Sequence, residues 1–196
     1  MQHRREELSE RTRQALDLLN DEVIRFENLV QDLLDLSRSD SGPIQNDLVN
    51  IEELVRATLA SSENTTSLEV SPNAEGALVM GDKRRLAQVL DNLLRNAEKY
   101  GDGPSRITVS SAGTNIEIAV EDSGPGVAPS ERELIFERFT RGAAARKRGA
   151  GDGAGLGLAL VDEHARRHGG TARVEGKPDG ESGARFVVTL PKAGRR

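Results

Sequence analysis

Cysteine and tryptophan are absent from this 196-residue chain, and its aromatic side chains amount to four phenylalanines and one tyrosine. Without cysteine there is no disulfide framework and no thiolate metal site, which is compatible with a reducing compartment. So few aromatics leave no platform for stacking nucleic-acid bases and predict a core of Leu, Val, Ile and Ala. No apolar run approaches the roughly 20 residues that a membrane-spanning helix requires, and the N-terminus lacks the apolar stretch of a secretory signal. A large excess of one charge is missing too. The 27 basic and 32 acidic residues give a formal net charge of −5, which offers no general attraction to nucleic acid or to an anionic lipid surface. Any anion site must therefore be local.

What is present begins with a segment from Leu8 to Arg38 that contains neither Gly nor Pro. Within it Leu16, Leu19, Val23, Phe26, Val30 and Leu33 follow one another at intervals of 3, 4, 3, 4 and 3 residues, the spacing of an a/d seam on one long helix. Leu29, Leu34 and Leu36 widen the apolar face, which suits a bundle of several helices. Ser37 to Asn46, with Gly42 and Pro43, carries turn and helix-ending residues and marks a domain boundary. The division expected is a helical segment over 1–40, a linker over 41–48 and a domain over 49–196.

In that domain Val49 to Ala60 reads as a short helix, and Ser67 to Val70 and Ala77 to Met80 as short strands. Asp82 to Tyr100 reads as a long amphipathic helix with Asp82 as N-cap and Gly101 as its stop. Arg106 to Ser111 and Asn115 to Glu121 alternate around the turn Ala112-Gly113-Thr114 and predict an antiparallel hairpin. After a glycine-rich, charged stretch from Asp122 to Gly155, interrupted by the short apolar piece Glu133 to Phe139, come a helix over Leu156 to His168 and strands over Thr171 to Glu175 and Ala184 to Leu190. There is no regular βαβ rhythm. The order predicts an α+β fold with a helical layer on a largely antiparallel sheet.

Four segments carry chemistry. On the helix after Asp82, Leu86, Val89, Leu90, Leu93, Leu94 and Ala97 form one stripe, with Asn92, Asn96 and Lys99 on another about 120° away. Asparagine is a poor interior helix residue, so two of them one turn apart with a lysine beyond suggest more than a solvated face: amide oxygens can ligate Mg²⁺ and lysine can neutralise phosphate. Glu121-Asp122-Ser123-Gly124-Pro125-Gly126 follows a strand directly; its glycines let the backbone turn and approach a planar ligand, and its carboxylate can accept a hydrogen bond from an exocyclic amine. Taken alone, such a segment is also an ordinary turn. Gly151-Asp152-Gly153-Ala154-Gly155-Leu156-Gly157-Leu158 opens a helix, where exposed backbone N–H groups and the helix dipole favour phosphate. Neither the dinucleotide fingerprint nor a P-loop fits its spacing. Between the two glycine segments, Phe136-Glu137-Arg138-Phe139-Thr140-Arg141 leads into Gly142 to Gly149 with Arg146, Lys147 and Arg148, a basic flap suited to closing over a polyphosphate or, equally, a solubilising surface.

Together and in this order these segments resemble the catalytic ATP-binding domain of sensor histidine kinases, within the group that includes type II topoisomerases, a heat-shock chaperone and mismatch-repair ATPases. Gln88 to Tyr100 is similar to that family's asparagine box, Asp122 to Gly126 to its first glycine box, Phe136 to Phe139 to its phenylalanine box, and Gly153 to Leu158 to its second glycine box. Phe26 to Gly42 is similar to the second helix of the family's dimerisation hairpin. The resemblance implies a two-layer α/β sandwich with an ATP lid running up to Asp152, and ATP and Mg²⁺ as ligands. It implies that Asn96, with Asn92, holds the metal, that Lys99, Arg138 and Arg141 meet the phosphates, that Asp122 fixes the adenine amine, and that Tyr100 borders the nucleotide. Gly124, Gly126, Gly153, Gly155, Leu156 and Gly157 complete the implied nucleotide site. It further implies a homodimer through the hairpin, a response-regulator partner, and a cytoplasmic portion of an inner-membrane sensor attached to the membrane only through segments outside this chain.

One departure stands out. The family's phosphoacceptor sits in a His-Glu-x-Arg-Thr-Pro motif upstream of the segment matched by Phe26 to Arg38, and nothing here fits it. His3 precedes Arg4-Arg5, while His164 and His168 lie on the helix after the second glycine box. The simplest expectation is a chain cut within the dimerisation region, able to bind nucleotide and unable to phosphorylate itself. Two other functions share the fold: a non-catalytic adaptor, against which the four intact boxes speak, and an anti-sigma-factor serine kinase, against which the helix Leu8 to Arg38 speaks.

Overall fold

The computed structural model describes residues 12–13, 15–16, 18–20, 22–23, 26, 30, 46–61, 66–140, 142, 155–178 and 180–194. Every described residue between 12 and 30 is helical. Leu16, Leu19, Val23, Phe26 and Val30 of the expected seam are exposed, as is Leu18 beside them. Leu29, Leu33, Leu34 and Leu36, and the turn residues Gly42 and Pro43, lie outside the described residues.

The domain proper starts one element earlier than its sequence suggests. Strand β1 (Asp47–Asn50) precedes helix α1 (Ile51–Ser61), so Asp47 and Leu48, expected in a linker, and Val49, expected in a helix, are extended instead. They pair antiparallel with strand β3 (Leu78–Gly81), setting Val49 opposite Val79. Only that pair turns inward: Val49 and Val79 are buried, whereas Leu48, Leu78 and Met80 are exposed. A four-residue strand whose partner lies some thirty residues away has too little local pattern to be separated from the helix that follows.

The main sheet has five strands in the order β2-β4-β5-β7-β6, formed by β2 (Leu68–Val70), β4 (Pro104–Ala112), β5 (Asn115–Asp122), β6 (Thr171–Glu175) and β7 (Arg185–Pro191). All neighbours run antiparallel except β2 and β4, the mixed and mostly antiparallel sheet expected. Strand period 2 sends Ile107, Val109, Ile116, Ile118, Val120, Phe186, Val188 and Leu190 into the core, all buried. Helices α1, α2 (Lys83–Tyr100) and α3 (Gly157–Arg167) cover that face. The stripe Leu86, Val89, Leu90, Leu93, Leu94 and Ala97 is the buried face of α2. Asp82 caps this helix, its Oδ1 accepting from the N–H of Arg84 at 3.0 Å and of Arg85 at 3.3 Å.

On the opposite face, one row of directly opposed residues crosses four strands: Arg106 faces Glu121, Glu121 faces Arg185 and Arg185 faces Glu175. Glu121 is 2% exposed and is held by Arg106 Nη2 at 2.8 Å and Arg185 Nε at 3.3 Å, and Arg185 pairs in turn with Glu175. Two guanidinium groups thus accompany one buried carboxylate, the condition under which such burial is tolerated.

Helices α2 and α3 pack antiparallel, as three contacts in reverse order show: Asn92 with Gly157, Gln88 with His164, and Asp82 with His168. His168 locks the end of the pair remote from the glycine boxes. Its Nδ1–H donates to the His164 carbonyl at 2.6 Å, and its Nε2 accepts from the Asp82 N–H at 3.0 Å. The ring lies so close to Gly81 that a Cβ there would come within 2.4 Å of His168 Cδ2.

His164, 2% exposed, donates from Nε2 to the Gln88 side-chain oxygen at 3.2 Å. Burial above all, then the positive charges of Arg85 and Arg167 and neighbouring His168, push its pKa from 6.5 down to about 4. Between those two values the unfolded chain takes up a proton that the folded chain refuses, so stability falls as pH drops through this window. The full loss is about 3 kcal/mol, since each tenfold change in proton affinity corresponds to about 1.4 kcal/mol. Urea unfolding from pH 7 to 4 should show a steeper decline for the native chain than for His164→Gln; parallel curves would refute the assignment.

Candidate nucleotide site

The first corner of the site is built around Asp122, the last residue of β5. Its carboxylate is buried, with Oδ1 accepting from the backbone N–H of Gly124 and of Ala184, both at 3.0 Å. The backbone around it is packed as tightly as glycine permits. A Cβ on Gly101 would lie 2.3 Å from Asp122 Cβ; on Gly124 it would lie 2.6 Å from Gly101 Cα; on Gly183 it would lie 2.1 Å from the Asp122 carbonyl oxygen. Gly126 has φ +75°, and a Cβ there would sit 2.7 Å from the Gly183 oxygen. Backbone bonds from Ser123 N–H to Gly101 O at 2.9 Å and from Asp122 N–H to Ala184 O at 3.0 Å complete the clasp. Three separate segments therefore hold one carboxylate: the end of α2, the turn after β5 and the start of β7. Burial raises the Asp122 pKa above the ordinary carboxylate range, while the N–H groups of Ala184 and Gly124 and the charge of Lys177 oppose that rise. With Oδ1 saturated by backbone donors, Oδ2 is the oxygen left to accept from a ligand.

The second corner lies at the start of α3. Gly157 opens this helix, and no side chain caps it, so its first N–H groups are available to an anion. The Asn92 Oδ1 comes within 3.3 Å of where a Cβ on Gly157 would be, and Asn92 Nδ2 is the one buried side-chain polar atom without a hydrogen-bond partner among the described residues. A buried amide left short of a partner beside an uncapped helix start is what a site awaiting a polar ligand looks like. Leu156 is fully buried. Gly155, at φ +71°, accepts from the Phe139 N–H at 3.0 Å and abuts the backbone of Phe139 and Thr140. This fastens the phenylalanine segment to the second glycine segment. Phe139 itself is exposed and holds φ +63°, a left-handed conformation that an aromatic residue adopts only under constraint.

Between the corners runs the polar face of α2. Asn92 and Asn96 are half-buried on it, and the Lys99 ammonium stands 5.6 Å from the centre of the Tyr100 ring. Nine residues separate Asn92 from Gly101, about 14 Å along a helix at 1.5 Å per residue, the scale of an extended nucleoside triphosphate. Arg138 is exposed and close enough to α3 to act electrostatically on Glu163, whose pKa is lowered by its hydrogen bond to Arg167, with Arg138 contributing. Arg141, Gly153 and the residues from 143 to Asp152 where a lid is expected lie outside the described residues. Sequence reasoning missed Gly183, Ala184 and Lys177 in the β6–β7 loop, and read Gly101 only as a helix stop. The glycine-rich composition of 176–183 was their one signal.

Among the described residues there is no cluster of three or more His, Cys, Asp or Glu side chains. A cation here would depend on the amide oxygens of Asn96 and Asn92 together with phosphate oxygens and water, a hard-oxygen set that suits Mg²⁺. The unpartnered Asn92 Nδ2 is a donor, so it suits a phosphate oxygen and leaves Oδ1 for the cation.

Residues 81–194 match the family model described as histidine kinase-, DNA gyrase B- and HSP90-like ATPase. The chain is 38% identical over 179 residues to the signal transduction histidine-protein kinase/phosphatase MprB of Mycobacterium sp. (strain KMS), covering 87% of this chain and 34% of that relative. It is 38% identical over 192 residues to the sensor-like histidine kinase SenX3 of Mycobacterium tuberculosis (strain ATCC 25618 / H37Rv), covering 93% of this chain and 46% of that relative. It therefore spans between a third and a half of the length of these relatives. The crystal structure of full-length ShkA in complex with AMPPNP matches it with a TM-score of 0.68 at 29% identity, over 96% of this chain and 40% of that one. The chain thus belongs to the histidine kinase-, DNA gyrase B- and HSP90-like ATPases, and what it carries is the ATP-binding catalytic domain of a sensor histidine kinase.

Proposed function

We propose that this domain binds ATP with Mg²⁺ and donates the γ-phosphoryl group to a histidine on a dimerisation domain, for onward transfer to an aspartate of a response regulator. The observation that carries the proposal is the polar face of α2 strung between a buried base-accepting carboxylate and an uncapped helix start. In this reading Asp122 Oδ2 accepts from the exocyclic amine of adenine, and Tyr100 borders the base. Asn96 with Asn92 would hold Mg²⁺, which when bound supplies charge neutralisation to the phosphates. Lys99, Arg138 and Arg141 meet the phosphates, and the backbone of Gly153, Gly155, Leu156 and Gly157 receives their terminal oxygens. In the transfer the bond from the γ-phosphorus to the β–γ bridging oxygen breaks, a phosphorus–nitrogen bond to imidazole forms, ADP leaves, and the imidazole proton passes to solvent or to a base outside this domain. Such a reaction needs positioning and charge stabilisation more than covalent help from the protein.

The described residues between 12 and 30, all helical and with Leu16, Leu19, Val23, Phe26 and Val30 exposed, support a homodimeric helical hairpin in the full protein. Among the described residues no helix is long and apolar enough to cross a membrane. The kinship to sensor kinases supports a cytoplasmic domain of an inner-membrane sensor whose membrane segments lie outside this sequence.

The test is calorimetric titration of ATP with and without Mg²⁺, followed by phosphorylation of a histidine-bearing hairpin domain supplied in trans. Mg²⁺ should strengthen ATP binding to the native chain, and Asn96→Ala should lose that gain, about tenfold in affinity for one charge-assisted ligand. The chain alone should show no stable self-phosphorylation. No binding at millimolar ATP would overturn the proposal.

A further inference from the structure

The turn after β5 has little of its own to fix its shape. Gly124 and Gly126 carry no side chain to restrict them, and Pro125 between them has no N–H to give to a turn hydrogen bond. Yet both polar groups of Gly124 are engaged. Its N–H donates to Asp122 Oδ1 at 3.0 Å, and its carbonyl accepts from the Ser182 hydroxyl at 2.7 Å. The second bond spans 58 residues of sequence and ties the β6–β7 loop to the turn. In the same loop the Gly183 oxygen lies 2.7 Å from where a Cβ on Gly126 would stand, and Ala184 donates its N–H to Asp122 Oδ1 at 3.0 Å. A closed ring results: Ser182 holds Gly124, Gly124 holds Asp122, Asp122 is held by Ala184, and the chain returns through Gly183 to Ser182.

Stability gives little reason for the serine bond. Ser182 is exposed, and a hydroxyl there trades a bond with water for one with a carbonyl at small net gain. Packing does not do the same work. An added Cβ on Gly124 would lie 2.6 Å from Gly101 Cα and 2.8 Å from the Tyr100 carbonyl oxygen, and such crowding limits displacement without directing a peptide group. Direction comes from the two hydrogen bonds, one on the N–H and one on the carbonyl, which between them fix both backbone dihedrals of this glycine. Released at its carbonyl, Gly124 is free to rotate. Asp122 Oδ1 then loses one of its two donors, and the carboxylate is no longer held with Oδ2 to spare.

We propose that Ser182 is a positioning residue for base recognition: its hydroxyl holds the Gly124 carbonyl, which keeps the Gly124 N–H on Asp122 Oδ1 and so reserves Oδ2 for the exocyclic amine of a 6-amino purine. This rests on the reading of Asp122 as the base-recognising carboxylate. A 6-oxo purine presents an acceptor at the same place and has no bond to Oδ2 to lose. Loss of the serine hydroxyl should therefore weaken adenine nucleotides selectively.

The experiment measures the dissociation constants of ATP and of inosine triphosphate at pH 7.5 on the whole chain, native and variant, with melting temperatures alongside. Both nucleotides carry the same phosphates, so the ratio of the two constants isolates the base, and any loss of folded protein cancels from it. The native chain should favour ATP. Ser182→Ala should bind ATP about fivefold more weakly, the worth of one hydrogen bond, and inosine triphosphate within about twofold of native. Ser182→Thr, which keeps the hydroxyl, should restore the native ratio. A native chain that binds the two nucleotides alike would overturn the base-recognition reading of Asp122 itself. If the native chain favours ATP and Ser182→Ala keeps its ratio, the role of Ser182 alone is overturned. Equal weakening of both nucleotides by Ser182→Ala, with a lowered melting temperature, would mark the serine as structural only and overturn it as well.

Discussion

Asp122→Asn should weaken ATP binding by about a hundredfold, close to 3 kcal/mol at 1.4 kcal/mol per decade, while the domain stays folded. The variant keeps one side-chain oxygen, so the N–H groups of Gly124 and Ala184 that now meet Oδ1 retain an acceptor. The other position changes from acceptor to donor and would confront the exocyclic amine with a second donor. A buried pair of like hydrogen-bond polarity costs more than the bond it replaces, because neither group can reach water. The loss should appear in calorimetric titration at pH 7.5 with an unchanged melting temperature. An affinity within about threefold of native, less than 1 kcal/mol, would show that the base is not read by this carboxylate.

Gly183→Ala should be the most damaging single methyl in the molecule's nucleotide corner. Gly183 holds φ +133°, and an added Cβ would lie 2.1 Å from the Asp122 carbonyl oxygen and 2.9 Å from Lys177 Cδ. The lysine can yield, but the backbone oxygen sits in a strand paired on both sides and cannot. A conformation so unfavourable to an L side chain, together with displacement of a core strand end, should cost about 3 kcal/mol or more. At roughly 3 °C per kcal/mol for a domain of this size, the melting temperature should fall by about 10 °C. ATP affinity should drop along with it, since Ala184 would be carried away from Asp122. Gly180→Ala is the control. Gly180 also has positive φ, at +75°, but an added Cβ would meet nothing within 4 Å. It should lose only about 1 kcal/mol, with ATP binding intact. Equal melting temperatures for the two variants would show that the clasp has room to relax.

The elements that sequence alone made legible are those whose signals are local. Helix α2 announces itself in its cap Asp82, in the apolar stripe from Leu86 to Ala97, and in Gly101 at its end, all within twenty residues. The β4–β5 hairpin is spelled out by alternation on both sides of one short turn. The burial of Glu121 is different: its partners Arg106 and Arg185 lie 15 and 64 residues away, and nothing in their spacing relates them. Strand β1 was hidden for the same reason, as its pairing partner β3 lies some thirty residues further on. Likewise, His164 in α3 and His168 at its end carry no mark of their separate tasks. That His168 reads the Asp82 N–H while His164 is held neutral against Gln88 depends on which faces α2 and α3 turn to each other.

For the candidate site the division follows the same line. The residue types that suit a nucleotide, namely amides one turn apart on a helix, a carboxylate ahead of two glycines and a glycine run opening a helix, were determined by the sequence, because each is a property of a few consecutive positions. Only the tertiary structure decided that Asp122 is clasped by Gly101 and Gly183, that Asn92 meets Gly157, and that the Lys177 stem lies beside Gly183. Those contacts join segments up to 65 residues apart, as with Asn92 and Gly157. Their register is decided by the packing of α2 and α3 on the sheet and by the pairing of β5 with β7, where burying one continuous apolar face leaves little choice of alignment.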